Sequence, residues 1–220
     1  MERRLKEAKN NEVYHLWSYG GTGLQLIDQA ISKGHTVKAF VRAADRIPFT
    51  REGLTVVEGN VFSEEDVGSA VEGQDAVFVA LGATARSPSD LCLRGTRSIV
   101  NAMRRHKVKR LVVLTGFGTS RESRNQLGIG MRMIVKLVSL ITFREFYDKE
   151  RQDGIVRNSG LDWTIVQPSR LTNEPGKGRY KHGAFTPSML AKISRDDVAR
   201  FMIDSVEHAR YIKQSSFIHD

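Results

Sequence analysis

The sequence predicts one α/β domain in which a parallel sheet carries helices on both faces. Three observations predict it. Short, near-continuously apolar runs alternate with amphipathic helical stretches, the pattern of strands buried on both sides. A glycine-rich turn, Gly20-Gly21-Thr22-Gly23, joins the first apolar run to the first helix. The 220 residues, 40% of them hydrophobic, are enough for one sizeable core and contain no repeat, linker or low-complexity segment.

Residues 1–11 read as an N-terminal extension and 12–220 as the domain. Strand one is expected at 12–18 and helix one at 21–33, with Leu24, Ile27 and Ile31 on one face and Gly34 as its stop. Thr36 to Val41 and Leu54 to Val57 are the next strands. Ser63, with Asp66 three residues on, starts a short helix that Gly73 closes. Ala76 to Leu81 is strand four. Residues 89–106 form a helix with Leu93, Ile99, Val100 and Met103 inward, and Leu111 to Leu114 is strand five. A long helical region covers about 128–158, and strand six runs from Leu161 to Val166. Residues 172–192, with Pro175, Gly176, Gly178, Gly183 and Pro187, read as an irregular stretch suited to covering a substrate. Ser194 and Asp197 cap a last helix carrying Val198, Phe201 and Met202, and residues 211–218 close with a strand.

Composition excludes several classes. One cysteine, Cys92, rules out a disulfide framework and fits a reducing cytoplasm. Met1-Glu-Arg-Arg-Leu-Lys lacks the apolar core of a signal peptide. The most apolar segment, Met131 to Phe143, is too short and, with Arg132 and Lys136, too charged to span a bilayer, and no membrane partner is expected. The net charge of +9 suits nucleic acid or a phosphorylated small molecule. The densest basic cluster, Arg104 to Arg110, lies at a helix end, where cations also suit the dipole, and no nucleic-acid motif accompanies it. The six histidines show no metal-ligand spacing, and there is neither a Gly-x-Ser-x-Gly turn nor a P-loop.

A glycine turn between a first strand and a first helix is where a Rossmann-type, doubly wound domain holds a dinucleotide pyrophosphate. If helix one has ordinary length, Gly20 and Gly23 are the second and third glycines of that fingerprint, and the first falls on Trp17. The other register starts the fingerprint at Gly20, puts Leu26 at the third glycine and shortens the helix by about one turn, so the first is preferred. Arg42 ends strand two, where an acidic residue would bind a ribose 2′-hydroxyl and an arginine accommodates a 2′-phosphate. Arg46 is close by. This favours NADP(H) over NAD(H).

Phe40-Val41-Arg42, Gly59-Asn60-Val61, Ala80-Leu81-Gly82-Ala83-Thr84 and, most specifically, Ser159-Gly160-Leu161-Asp162-Trp163-Thr164-Ile165-Val166-Gln167-Pro168 resemble the atypical short-chain dehydrogenase/reductase group. Within it, the chain is similar to the NmrA-like and biliverdin-reductase-B (flavin reductase) branch over about residues 16–218. The resemblance implies that Gly20, Gly21, Thr22 and Gly23 hold the pyrophosphate and Arg42 the adenosine phosphate. Asn60 and Val61 would flank the adenine. Leu81, Gly82 and Ala83 would run beside the ribose and pyrophosphate, Thr115 and Gly116 would approach the nicotinamide, and Pro168 would lie near its carboxamide. Asn60 and Gln167 stand where Asp and Arg are common, and residues 12–19 depart from the family's smooth apolar strand.

Ordinary members of that superfamily use a Tyr-x-x-x-Lys pair. By resemblance Lys149 takes the lysine position, Glu145 that of the tyrosine, and Gly116 that of a serine; Tyr147 is two residues off. Lys149, Tyr147 and Thr115 are therefore candidates without a complete triad. The resemblance still implies hydride transfer to a flavin, a quinone or a similar conjugated carbonyl, with Phe117, Tyr180 and His182 as an aromatic lid. The other class it allows is a non-catalytic, dinucleotide-sensing regulator that binds a protein partner. A cytoplasmic monomer or dimer is expected in either case.

Overall fold

The computed structural model describes residues 13–17, 20–84, 87–184, 188 and 190–220; for residues 13 and 15–17 the description is of the backbone alone. The elements are β1 (Val13–Trp17), α1 (Gly21–Ser32), β2 (Thr36–Val41), β3 (Leu54–Glu58), α2 (Glu64–Val71), β4 (Ala76–Val79), α3 (Leu91–Arg105) and β5 (Arg110–Leu114). They continue with α4 (Arg121–Asn125), α5 (Ile129–Ile141), α6 (Phe143–Arg157), β6 (Asp162–Pro168), β7 (Arg170–Thr172), β8 (Lys181–Gly183), β9 (Lys192–Ser194), α7 (Arg195–Glu207) and β10 (Gln214–His219).

Period-two alternation along the strands sorts side chains to two faces. Ala76 and Phe78 of β4 join Tyr14, Val112 and Val166 in a core under α1 and α7. Val77 and Val79 join Leu111, Val113, Trp163 and Ile165 in a second core under α2, α3 and α6. The sheet order is β3-β2-β1-β4-β5-β6-β10-β8, parallel except for β8, which pairs antiparallel with β10. Strand order reverses between β1 and β4, the crevice where doubly wound sheets bind ligands. The doubly wound α/β architecture is thus the one read from the sequence.

Local chemistry sets the ends. α1 stops in a Schellman motif: Gly34 N–H donates to Ile31 O (2.9 Å), His35 N–H to Ala30 O (3.0 Å), and Gly34 has φ +88°. Ser63 Oγ accepts from Asp66 N–H (3.2 Å), and Ser194 Oγ from Asp197 N–H (3.0 Å), so both expected caps form.

Three expectations need correction. β4 ends at Val79, because the chain leaves the ladder there and Leu81 O accepts from Lys149 Nζ (2.6 Å) instead. The 128–158 helical region is two helices, broken at Thr142 (φ −107°, ψ 37°), whose Oγ1 donates back to Val138 O (3.0 Å). The stretch 172–192 is not wholly irregular. It contains β8, and its ends belong to β7 and β9, which pair in a separate two-stranded parallel ribbon. The expected extension, residues 1–11, lies outside the described residues.

Candidate functional site

Most of the residues picked out in the sequence gather at the carboxyl ends of the parallel strands. Trp17 ends β1, Gly20 is the N-cap of α1, and Gly21, Thr22 and Gly23 form its first turn. Gly20 caps in extended conformation without a side-chain hydrogen bond, and the first turn carries no acidic residue. The positive end of the α1 dipole is therefore not neutralised by its own helix. A Cβ on Gly21 would lie 2.7 Å from Arg195 Cδ, so the arginine stem crosses the turn close over this glycine. Arg195, at the start of α7, donates through Nη1 to Asn173 Oδ1 (2.6 Å).

Beyond β2 and β3 lies a small groove of about 80 Å³, walled by Phe40, Arg42, Asn60, Val61, Leu81 and Leu91 among others. A Cβ on Gly59 would come within 2.5 Å of Phe40 Cζ, so this glycine lets the ring lie flat beneath the groove. Asn60 Oδ1 accepts from Phe62 N–H (3.0 Å) and Asn60 N–H donates to Asp66 Oδ2 (2.8 Å), an Asx turn that fixes the wall. Gly95 brings α3 close enough for Leu81 and Val61 to pack on it: a Cβ there would sit 3.0 Å from each.

Beyond β5 and β6 is a cavity of about 430 Å³. Thr115, Gly116, Phe117 and Pro168 form its floor, Met131, Ile134, Val135 and Val138 of α5 one side, and Ser169, Arg170, Ser188 and Ala191 the other. The wall is mostly apolar, and Arg170 is the one titratable side chain among its lining residues. Thr115, Ser169 and Ser188 are its hydroxyl-bearing lining residues, and Thr115 Oγ1 and Ser169 Oγ are themselves buried.

Lys149 is brought to the same edge but is committed. Its Nζ donates to Leu81 O (2.6 Å) and Leu114 O (3.0 Å), tying the chain after β4 to the end of β5. Tyr147 is not brought there: it is half exposed, stacks on Phe143 (5.8 Å) and lines a separate groove with Arg124 and Glu150. The expected aromatic lid also divides. Phe117 lines the cavity and packs on Phe217 (5.2 Å), whereas Tyr180 and His182 cluster with Phe201 of α7. β8 pairs on the far side of β10, and that pairing carries them away from the strand-five end.

Gly82 is exposed and Ala83 half-buried on the loop after β4. Cys92 is fully buried, and burial pushes its thiol up, which leaves it inert. Of the basic cluster, Arg104 donates to Ser159 O (2.6 Å) and Arg110 to Asp162 O (2.8 Å), so these two guanidinium groups serve the fold.

Sequence reasoning missed Asp148. Its Oδ2 accepts from Cys92 N–H (2.8 Å) and its Oδ1 from Leu93 N–H (2.9 Å), so a residue of α6 caps α3. It also missed Arg195 and the cavity wall supplied by α5. Ser169 next to Pro168 was the one available signal, a hydroxyl following a strand that ends at the crevice.

Comparison with known proteins agrees with this geometry. A chloroplastic protein of Arabidopsis thaliana is 24% identical over 208 residues, covering 90% of this chain and 73% of the relative. The cytoplasmic location expected from the sequence therefore stays an expectation. A short-chain dehydrogenase/reductase of Veillonella parvula, solved in complex with NADP, superposes with a TM-score of 0.78 at 19% identity, covering 96% of this chain and 94% of that one. ChuY, an anaerobilin reductase of Escherichia coli O157:H7, gives 0.77 at 16% identity, with 94% and 96% covered. Among the described residues no helix is long and apolar enough to cross a membrane. A family model described as NAD(P)H-binding matches residues 18–209, and with the uncapped glycine turn of α1 and the groove beyond β2 and β3, the chain belongs to that family.

Proposed function

We propose that the protein is an NADPH-dependent reductase whose acceptor is a flat, conjugated carbonyl compound of the flavin or quinone type. The observation that carries the reading is the cavity beyond β5 and β6. Its wall is mostly apolar, with Arg170 the one titratable side chain among its lining residues, and it stands at the same sheet edge as the groove walled by Arg42. The residues fit a dinucleotide. The α1 N-terminus and Gly21 suit a pyrophosphate, Arg42 a 2′-phosphate, and Phe40, Asn60 and Val61 an adenine. When bound, NADPH supplies the hydride.

The chain's own part is binding, orientation and exclusion of water. Phe117, Met131 and Ile134 offer apolar surface to a flat ring. No carboxylate, histidine or tyrosine is among the lining residues, so the proton that follows the hydride comes from water at the mouth. That favours acceptors whose reduced form tolerates delayed protonation. It disfavours simple alcohol–ketone chemistry, for which the Tyr-x-x-x-Lys pair would be needed.

Calorimetric titration with NADPH and with NADH, followed by NADPH oxidation assays with flavins and quinones, tests the reading. Preferential NADPH binding with turnover supports it. Dinucleotide binding with no turnover on any acceptor replaces it with a sensor that acts on a protein partner. Failure of both dinucleotides to bind refutes it.

A further inference from the structure

Among the described residues, one surface has no partner within the fold. Helix α5 buries a single side chain, Val135. Ile129 (80% exposed), Met133 (70%), Leu137 (61%), Leu140 (68%) and Ile141 (79%) recur at helical spacing and form one outward face. Phe143, at the start of α6, extends it. Monomeric soluble proteins rarely expose a contiguous apolar patch of this kind without using it.

Basic residues predominate around the patch, with Glu145 and Glu150 the acidic groups beside it. Residues 123–144 contain Arg124, Arg132, Lys136 and Arg144 and no acidic residue, in a protein of net charge +9. Arg124 is taken by Glu150, and Arg132 donates to the carbonyls of Arg124, Asn125 and Leu127. On the α5 wheel, Lys136 and Arg132 flank the apolar face. The patch is also continuous with the cavity: Ile134 and Val138 of the same helix line its wall. On the opposite side, Leu190 (87% exposed) and the exposed Arg170 repeat the apolar and basic character.

We propose that α5 docks the protein on the surface of an anionic lipid bilayer, with the cavity mouth facing the lipid. A 13-residue helix is about 20 Å long, too short to cross the roughly 30 Å hydrocarbon core. Lying in the interface plane, it sinks its apolar face among the acyl chains and leaves its cations at the headgroups. A second copy of the chain fits less well, since a two-fold contact through this face would gather the Lys136 and Arg144 of both copies into one interface. The proposal revises the sequence expectation of no membrane partner; the absence of a spanning helix is untouched by it. Docking does not depend on the reductase reading. Its corollary, that the acceptor is lipid-soluble and enters from the bilayer, rests on that reading.

The test is flotation of the full chain, without dinucleotide, with vesicles of phosphatidylcholine alone and of phosphatidylcholine with phosphatidylglycerol. The protein is expected to float with the anionic vesicles, less with the neutral ones, and less as salt is raised. Leu137→Glu with Ile141→Glu should abolish flotation while leaving the thermal midpoint unchanged, because both positions are exposed. Lys136→Glu should weaken it by at least about fivefold, the factor set by roughly 1 kcal/mol per basic residue near an anionic surface. No flotation of the wild type, equal flotation on both vesicle types, or flotation indifferent to the double substitution overturns the proposal. A concentration-dependent dimer in sedimentation that the same double substitution dissolves would assign the face to a second copy instead. Failure of NADPH to bind would leave the vesicle result standing and remove only the corollary.

Discussion

Replacing Asp148 by alanine should destabilise the protein and loosen the adenosine end of the site together. Asp148 is 3% exposed and holds the N-terminus of α3 through bonds of 2.8 and 2.9 Å to the N–H groups of Cys92 and Leu93. A hydrogen bond to a charged acceptor is worth about 1.5–3 kcal/mol net, so two of them total roughly 3–6. Relief of the cost of burying the carboxylate offsets part of this, and two bonds from one side chain are not independent, which brings the expected loss to about 3–4 kcal/mol. For a chain of this size that is roughly 6–16 °C in Tm. Urea unfolding should show a lower midpoint at unchanged slope. Asp148→Asn keeps one good acceptor oxygen and should lose about half as much. Because Leu91 at the start of α3 walls the groove, NADPH and NADH should weaken by similar factors. A stability loss under about 1 kcal/mol for Asp148→Ala would refute the assignment of α3's cap to this residue.

The remaining predictions concern single contacts. Arg42→Ala should weaken NADPH by about 1–2 kcal/mol, roughly 5–30-fold, the low side of a charge-assisted bond because Arg42 is exposed, and leave NADH unchanged; equal weakening in calorimetry would remove the 2′-phosphate role. Gly59→Ala would place a methyl 2.5 Å from Phe40 Cζ, forcing the ring aside at about 1–3 kcal/mol and distorting the groove. Unchanged thermal midpoint and unchanged dinucleotide affinity would contradict it. Burial, then Asp204 and Asp197, push the Tyr180 phenol up to about 12 from 10.0. The folded state keeps this proton while the unfolded chain releases it, so stability should fall as pH rises from 10 towards 12. Tyr180→Phe should remove that component, and an identical alkaline decline in the variant would show that another group is responsible.

Much of the fold was legible because its signals are local. The Ser63 and Ser194 caps, the Gly34 stop and the apolar strand runs each depend on residues within one turn or one strand. The glycine turn between β1 and α1 was legible for the same reason, since a strand–turn–helix unit is set by neighbouring residues. What escaped was set by partners distant in sequence. Asp148 caps a helix more than fifty residues away. The end of β4 is decided by Lys149. The separation of Tyr180 and His182 from Phe117 follows from which edge strand β8 joins, and three residues of modest β propensity do not announce that. The sequence showed the apolar stretch from Met131 to Phe143, but it reports only that the residues are apolar and not what covers them.

Lys149 has a consequence beyond anchoring. Leu81 belongs to the groove at one end of the site, and Leu114 immediately precedes Thr115 at the other. One ammonium group grips both carbonyls, so it acts as a strut of fixed length between the two halves. A ligand that shifts Leu81 must carry Leu114 with it or break a bond to the lysine. Under the proposed reading, a ligand that shifts either carbonyl would strain the lysine's bond to the other, which would couple the groove to the cavity.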